Sequence, residues 1–241
     1  MTMKARSGRA PGFLLAAVIV AALPALIPPS IATAQAPVAQ ASQPPADRTA
    51  AFLKQYQAMP HVTVPVLKGG AAVLIVKFTD YQCPACALTY RVYQPVLEKY
   101  EAQFPGAVKY VVKDFPLNKD CNPALMGTIH PAGCDAAIAV AMAREQKHGS
   151  ELEEWLYTNQ QLLTPATVRR AADIIGGVTD FTAGYKKAFE QVKSDAALGG
   201  LLNVDSTPTF FINGTKVATV MQPEVFDAVI AYELRKAGIL K

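Results

Sequence analysis

A short apolar stretch running into two closely spaced cysteines constrains this chain more than any other feature. Residues 71 to 86 read Ala-Ala-Val-Leu-Ile-Val-Lys-Phe-Thr-Asp-Tyr-Gln-Cys-Pro-Ala-Cys. Val73 to Phe78 is short, apolar and β-branched, which predicts a buried strand. A polar turn follows, and Cys83-Pro84-Ala85-Cys86 then opens a helical run reaching Phe104. Pro84 suits the first helical position, where a missing N–H costs nothing and φ is already set. Cys83 therefore falls at the N-cap, with unpaired amides and the positive end of the helix dipole aimed at its sulfur. A thiolate is favoured there, and the thiolate is the attacking form of cysteine. Cys86, one turn on and facing the strand, is expected to be buried behind a partly exposed Cys83, close enough to close a disulfide with it. Half of a zinc site is the competing reading of such a pair, but zinc wants a second pair or paired histidines at ligand spacing. Cys121 and Cys134, the remaining cysteines, supply neither, so redox chemistry is the reading carried forward.

The N-terminus reads as a targeting segment. Lys4, Arg6 and Arg9 precede an apolar run from Phe13 to Ile27, and Ala32-Thr33-Ala34 offers small residues for cleavage. The run is short for a bilayer span and ends in Pro28-Pro29, which favours a signal peptide over residues 1–34; a retained signal anchor is the alternative. No cysteine follows the run to carry a lipid. Cleavage after Ala34 would remove three basic residues and no acidic ones, taking the formal charge from +4 to +1. No charge run or basic–aromatic patch then argues for nucleic acid. All four cysteines lie in the exported part, which fits an oxidising compartment.

Residues 35–60 read as an Ala/Pro/Gln-rich tether and a short helix from Ala46 to Met59, ended by Pro60. His61 to Leu67 alternates and is expected to be an edge strand, where Pro65 is tolerable; His61 itself is given no role. With the strand at Val73, the helix after Cys83 and a second strand from Val108 to Phe115, residues 61–115 form a right-handed βαβ unit. Pro95 falls inside the helix and should kink it. Residues 116–203 carry no strand signal. A loop to Gly133 leads to an Ala-rich helix over 135–148. Ser150 and Glu153 propose a capping box for the next helix, Thr164-Pro165 opens a third, Asp180 caps a fourth, and residues 193–203 read as a fifth. Residues 204–241 return to strand: Thr209–Ile212 and Lys216–Val220 flank an Asn213-Gly214 hairpin turn, and Gln222–Ala237 closes the chain as an amphipathic helix. Asn213-Gly214-Thr215 is also a glycosylation sequon, which the turn explains better.

Cys121 and Cys134 lie thirteen positions apart in an irregular Pro/Gly-containing loop, and a structural disulfide between them is expected. A redox relay to the first pair, or metal ligation with His130, are the alternatives.

Ser206-Thr207-Pro208-Thr209 stands directly before the hairpin. With Cys83-Pro84-Ala85-Cys86 ahead of a long helix and a helical block between, the chain resembles the thioredoxin superfamily, and more narrowly the DsbA-like exported thiol–disulfide oxidoreductases. The resemblance spans residues 62–241. It implies an α/β thioredoxin fold, a mixed central sheet flanked by helices with an inserted all-helical domain. It further implies Cys83 as nucleophile, Cys86 as resolving thiol, Pro208 as a cis-proline facing them, and Thr207 offering its backbone to a substrate peptide. No dissociable cofactor is implied, and no metal.

Two departures bear on the chemistry. Lys77 stands where the family carries an acidic residue, and would favour a Cys86 thiolate where a carboxylate would assist proton transfer. Ala85 replaces the histidine of the DsbA dipeptide and cannot stabilise a thiolate. The loop from Asp114 to Pro123, with His130-Pro131-Ala132-Gly133-Cys134, is similar to thioredoxin-like partners of bacterial vitamin K epoxide reductase homologues. That likeness implies a separate membrane thiol oxidase linked to quinone. The expectation is an exported monomer that oxidises cysteine-containing exported proteins. A reductase or isomerase fed by a membrane reductant, and a Cu(I)- or Zn(II)-binding module, are its rivals; no Met or His cluster adjoins Cys83 to favour the last.

Overall fold

The paired cysteines owe their position to a four-stranded sheet. The computed structural model describes residues 45–241; the expected signal peptide over residues 1–34 and residues 35–44 of the expected tether lie outside the described residues. The chain enters through α1 (Pro45–Ala58) and reaches β1 (Val73–Thr79), whose seven residues are all buried. Helix α2 (Pro84–Gln103) crosses to β2 (Val108–Asp114), which pairs parallel to β1 from Val73 opposite Val108 to Thr79 opposite Asp114. Strand β3 (Thr209–Ile212) runs antiparallel on the other side of β1, and β4 (Thr215–Val217) follows it, giving the order β2-β1-β3-β4. Helix α7 (Pro223–Lys236) closes the chain. Between β2 and β3 lie α3 (Gly133–Glu145), α4 (Gly149–Thr158), a 3₁₀ turn at Gln160–Leu162, α5 (Pro165–Ile174) and α6 (Phe181–Leu201).

Period-two alternation along β1 divides the core. Val73 and Ile75 join Phe210 and Ile212 under α1, α2 and α7, where Tyr93 stacks on Phe226 at 4.0 Å. Each such fully buried side chain stabilises by about 2 kcal/mol. The Tyr56 hydroxyl ties α1 down, its one proton shared between the Ile212 carbonyl and Glu233 Oε1, both at 3.1 Å. Leu74, Val76 and Phe78 face the other way, with Phe115 and Phe211, against α6. Gly199 of α6 is where the helix meets this face: a Cβ there would lie 2.5 Å from the Phe115 ring. The helical block has its own core of Ile138, Leu152, Leu156, Val168, Ala172 and Val192, and that core is continuous with Cys83 and Cys86. The cysteine pair therefore sits at the seam between sheet and block.

The structure departs from the sequence reading at four places. Residues 61–67 form no strand; His61 makes one isolated bridge to Thr215 and Val62 N–H bonds the Gly214 carbonyl, after which Pro65, lacking an N–H, cannot extend the ladder. Helix α4 starts at Gly149 with His148 as N-cap and no side-chain cap. Ser150 Oγ bonds Glu151 instead, and Glu153 is turned into the seam, so the capping box is absent. The fourth and fifth helices are one, α6, because no glycine or proline interrupts Tyr185 to Leu198 and Asp195 is held by Lys113 at 2.7 Å. Strand β4 stops at Val217, three residues early.

The hairpin turn itself is tightly specified. Asn213 and Gly214 have φ of +45° and +91°, the left-handed pair that a two-residue hairpin needs. A Cβ on Gly214 would also lie 2.4 Å from the Val62 carbonyl oxygen. The Asn213 carboxamide accepts from Leu74 N–H and donates to Ala72 O and Glu233 Oε2, so it is consumed inside the fold.

Candidate active site

Cys83 is the N-cap of α2 in extended conformation, with Pro84 at the first helical position. Its carbonyl accepts the amides of Cys86 and Ala87 at 3.0 and 3.1 Å, which starts the helix and sets the two sulfurs one turn apart. Both cysteines are thiols. Cys86 is completely buried, and Cys83 retains only 6% of its surface. The expected partial exposure of Cys83 is thus smaller in fact, because two distant segments cover it. From the helical block, the Gln160 carboxamide donates to the carbonyls of Tyr81 and Cys83 at 2.8 and 2.9 Å. From the far end of β3, the Thr207 carbonyl lies 3.2 Å from Cys83 Sγ, at a Thr207–Pro208 bond that is cis.

These neighbours separate the two thiols electrostatically. The Cys83 pKa falls from 9.0 to about 6, chiefly through a hydrogen bond from the Cys86 thiol, then the Thr207 hydroxyl and the amides of Cys86 and Ala85, with burial opposing. The Thr207 hydroxyl is buried and has no hydrogen-bond partner among the described residues, which leaves it free to turn toward a Cys83 thiolate. Burial pushes Cys86 well up, and its hydrogen bond to Cys83 adds to this; Lys77 and the Thr79 hydroxyl act the other way. One thiol is an anion at neutral pH and the other holds its proton, which is the division of labour that thiol–disulfide exchange requires.

Lys77 lies beneath the pair, 2% exposed, its Nζ donating to the Cys86 carbonyl at 3.3 Å and resting 5.5 Å from the centre of the Tyr157 ring. Tyr157 in turn hydrogen-bonds Thr79 Oγ1 at 2.7 Å. Pro84 shapes the helix start and Ala85 supplies an amide to the Cys83 thiolate; the Ala85 side chain makes no polar contact. Tyr157 and Gln160 have no site role in the sequence reading, and Glu153 enters it only as half of a capping box, since nothing in a segment 70 residues downstream marks which face meets the cysteines.

The second pair is joined: Cys121 and Cys134 form a disulfide with a Cα–Cα distance of 5.8 Å. Neither sulfur is free as a ligand. Buried Asn118 and Asn122 organise the loop around it, donating to the Pro131 and Pro116 carbonyls at 3.2 and 2.9 Å. The loop is also fastened to the turn before Cys83. Asp80 accepts the amides of Gln82 and Leu117 and meets His130 Nδ1 at 3.0 Å, while Gln82 Oε1 accepts Ala132 N–H. The Asp80 hydrogen bond raises the His130 pKa. Among the described residues no group of three His, Cys, Asp or Glu side chains is arranged to hold a metal, and no helix is long and apolar enough to cross a membrane.

A family profile described as thioredoxin matches residues 68–231. Among curated proteins, Na(+)/H(+) antiporter NhaA 1 of Mycobacterium sp. (strain KMS) is 28% identical over 151 residues, covering 61% of this chain and 22% of the antiporter. NhaA 3 of Salinispora tropica is 27% identical over 183 residues, covering 71% and 26%. The chain thus spans about a quarter of the length of these relatives. Among solved structures, ScsC of Proteus mirabilis superposes with a TM-score of 0.54 at 21% identity, covering 82% of this chain and 84% of its own. The alpha-DsbA1 of Wolbachia pipientis gives 0.55 at 19%, covering 70% and 89%. A periplasmic thioredoxin-like protein of Salmonella enterica serovar Typhimurium gives 0.52 at 24%, covering 78% and 96%. These three share the fold: the mixed sheet with flanking helices.

Proposed function

The chain belongs to the thioredoxin family, and from that premise we propose that it is a thiol–disulfide oxidoreductase, an exported oxidant that introduces disulfides into cysteine-containing exported proteins. Cys83 is the nucleophile and Cys86 the resolving thiol, while Thr207 and Pro208 form the platform against which a substrate strand lies. A substrate thiolate attacks Cys83 Sγ of the oxidised enzyme; the Cys83–Cys86 bond breaks and Cys86 leaves with the electron pair and takes up a proton. A second substrate thiolate attacks the substrate sulfur of the mixed disulfide, Cys83 leaves as thiolate, and the substrate holds a new disulfide. A separate quinone-linked membrane thiol oxidase, DsbB-like or vitamin K epoxide reductase-like, reoxidises the pair. The protein works as a monomer.

One observation carries the direction: the Cys83 pKa of about 6. A thiolate exists only in the reduced enzyme, so each unit by which its pKa lies below ambient pH favours that form by about 1.4 kcal/mol and raises a two-electron potential by about 30 mV. The N-terminal targeting segment supports export, as does the periplasmic description of one structural neighbour. Equilibration with glutathione and oxidation of reduced, unfolded ribonuclease test the reading. The expected result is a potential above that of thioredoxin, with ribonuclease oxidised. A potential as low as thioredoxin's, with no ribonuclease oxidation, overturns it in favour of a reductase.

A further inference from the structure

Two parts of the molecule reach Cys83. From the start of β3 the Thr207 carbonyl lies 3.2 Å from its sulfur. From the helical block Gln160 Nε2 lies 2.8 Å from the Tyr81 carbonyl oxygen and 2.9 Å from that of Cys83. A carboxamide nitrogen carries two protons, and here each has its own carbonyl. The same carbonyls decide which end of the group is nitrogen, because the reverse orientation would set oxygen against oxygen. The oxygen end is left over. Gln160 Oε1 makes no hydrogen bond among the described residues, and it is not one of their buried, unpartnered polar atoms, so it faces solvent. The other polar side chains of this turn are already engaged. Gln82 accepts from Ala132 N–H and reaches the Leu163 carbonyl at 3.5 Å, and Asp80 accepts two amides and meets His130.

The free acceptor is also held still. Gln160 opens the 3₁₀ turn between α4 and α5. Before it, Asn159 N–H and Nδ2 bond the Trp155 carbonyl at 2.9 and 2.8 Å. After it, Thr167 Oγ1 donates to the Leu162 carbonyl at 2.7 Å, and Leu163 is buried in the core of the block. Leu162 itself is 59% exposed, so the turn presents an open side. A fixed, solvent-facing acceptor one carbonyl away from the nucleophile suits a donor that the substrate brings. We propose that Gln160 Oε1 accepts a backbone N–H beside the substrate cysteine, so that an extended peptide is held at both Thr207 and Gln160 while Cys83 reacts. This role rests on the oxidoreductase reading, and it narrows the substrate class to cysteines in chain that is still unfolded. An N–H already committed to a helix or a sheet ladder has no proton to give. A neutral acceptor leaves the Cys83 thiolate unopposed, where a carboxylate would raise its pKa. Fixing the acceptor in advance also lowers the ordering cost of binding.

Reduced, full-length protein is mixed with two symmetric disulfides: that of an extended, cysteine-centred peptide, and bis(2-hydroxyethyl) disulfide, which has no peptide group. With either, the Cys83 thiolate attacks one sulfur, a Cys83–sulfur bond forms, the S–S bond of the probe breaks, and the leaving thiolate takes a proton from water. Rates of this first step are compared at about pH 8, where a thiol with a pKa of about 6 is ionised. Gln160→Met, similar in length and lacking the carboxamide, should react about fivefold more slowly with the peptide, the weight of one neutral hydrogen bond. Its rate with the small disulfide should equal that of the wild type. N-methylation of the peptide amide that meets Gln160 should slow the wild type by the same factor and Gln160→Met not at all, the coupling expected of a direct contact. Gln160→Ala serves the same comparison should Gln160→Met fail to fold. Methylation of the amides on both sides of the cysteine, one at a time, with no loss of rate in the wild type overturns the assignment. An equal loss in wild type and variant overturns it too. A wild type that exchanges with neither disulfide refutes the oxidoreductase reading itself, a separate result.

Discussion

The largest single influence on the Cys83 thiolate is the thiol of its own partner, and Cys86→Ala removes it while leaving the helix start intact. The hydrogen bond from Cys86 is the leading cause of a Cys83 pKa of about 6, ahead of Thr207 and the two amides. A hydrogen bond to a charged group is worth about 1.5–3 kcal/mol, which corresponds to about one to two pK units. Cys83 in Cys86→Ala should therefore titrate between about 7 and 8. Cys86→Ser keeps a donor at nearly the same place and should stay close to 6. The thiolate fraction at neutral pH would fall from about nine-tenths to a half or less in the alanine protein alone. Thiolate absorbance against pH reads this cleanly, because Cys121 and Cys134 are joined and leave Cys83 as the sole free thiol in either variant. The rate of iodoacetamide alkylation against pH is the independent check. The same argument fixes a stability profile. The depressed pKa stabilises the reduced protein above the unfolded value of 9.0, and that gain disappears as pH falls through about 6. The oxidised protein has no thiolate and lacks this dependence. A Cys86→Ala protein that still titrates near 6 would refute the reasoning and hand the effect to Thr207 and the helix terminus.

Two further outcomes test the framework around the site. Replacing Cys121 and Cys134 together with Ser should cost about 3 kcal/mol of unfolding free energy, from the chain entropy of a loop closed across thirteen positions, and leave insulin reduction mostly intact; a folded variant that has lost exchange would point to a relay between the pairs. Asp114 is buried with one carboxylate oxygen unpartnered, and burial raises its pKa from 3.8 to about 7. The native state therefore keeps a proton that the unfolded chain releases in that window, and wild-type stability from this group is lost as pH rises through about 7. Asp114→Asn should melt together with the wild type near about pH 4 and be the more stable by about 2 kcal/mol or more near about pH 8; a difference independent of pH refutes the assignment.

The strand over Val73–Thr79, the helix from Pro84 and the parallel strand after it were legible because local rules decide them. A β-branched apolar run, a proline at the first helical position and a short crossover each act over a few residues. The Asn213-Gly214 turn was legible for the same reason, since left-handed φ at two successive positions leaves few residue choices. Sequence also placed Cys83 at a helix terminus, the backbone part of its acidity. Where local signals conflict with packing, packing prevailed. The alternation of residues 61–67 had no free ladder to join once Pro65 removed a donor, and the Ser150–Glu153 pair gave up its cap because Glu153 was drawn into the buried seam. The rest of the site belongs to tertiary structure. Thr207 lies 124 positions from Cys83, Gln160 lies 77, and Tyr157 reaches Lys77 from a different layer. Their effects on a thiol depend on distance and dielectric, both set only when the helical block closes over the sheet. A sequence shows that Lys77 replaces an acid; whether that lysine is solvated or buried against the Cys86 carbonyl and the Tyr157 ring is a matter of which surfaces pack together.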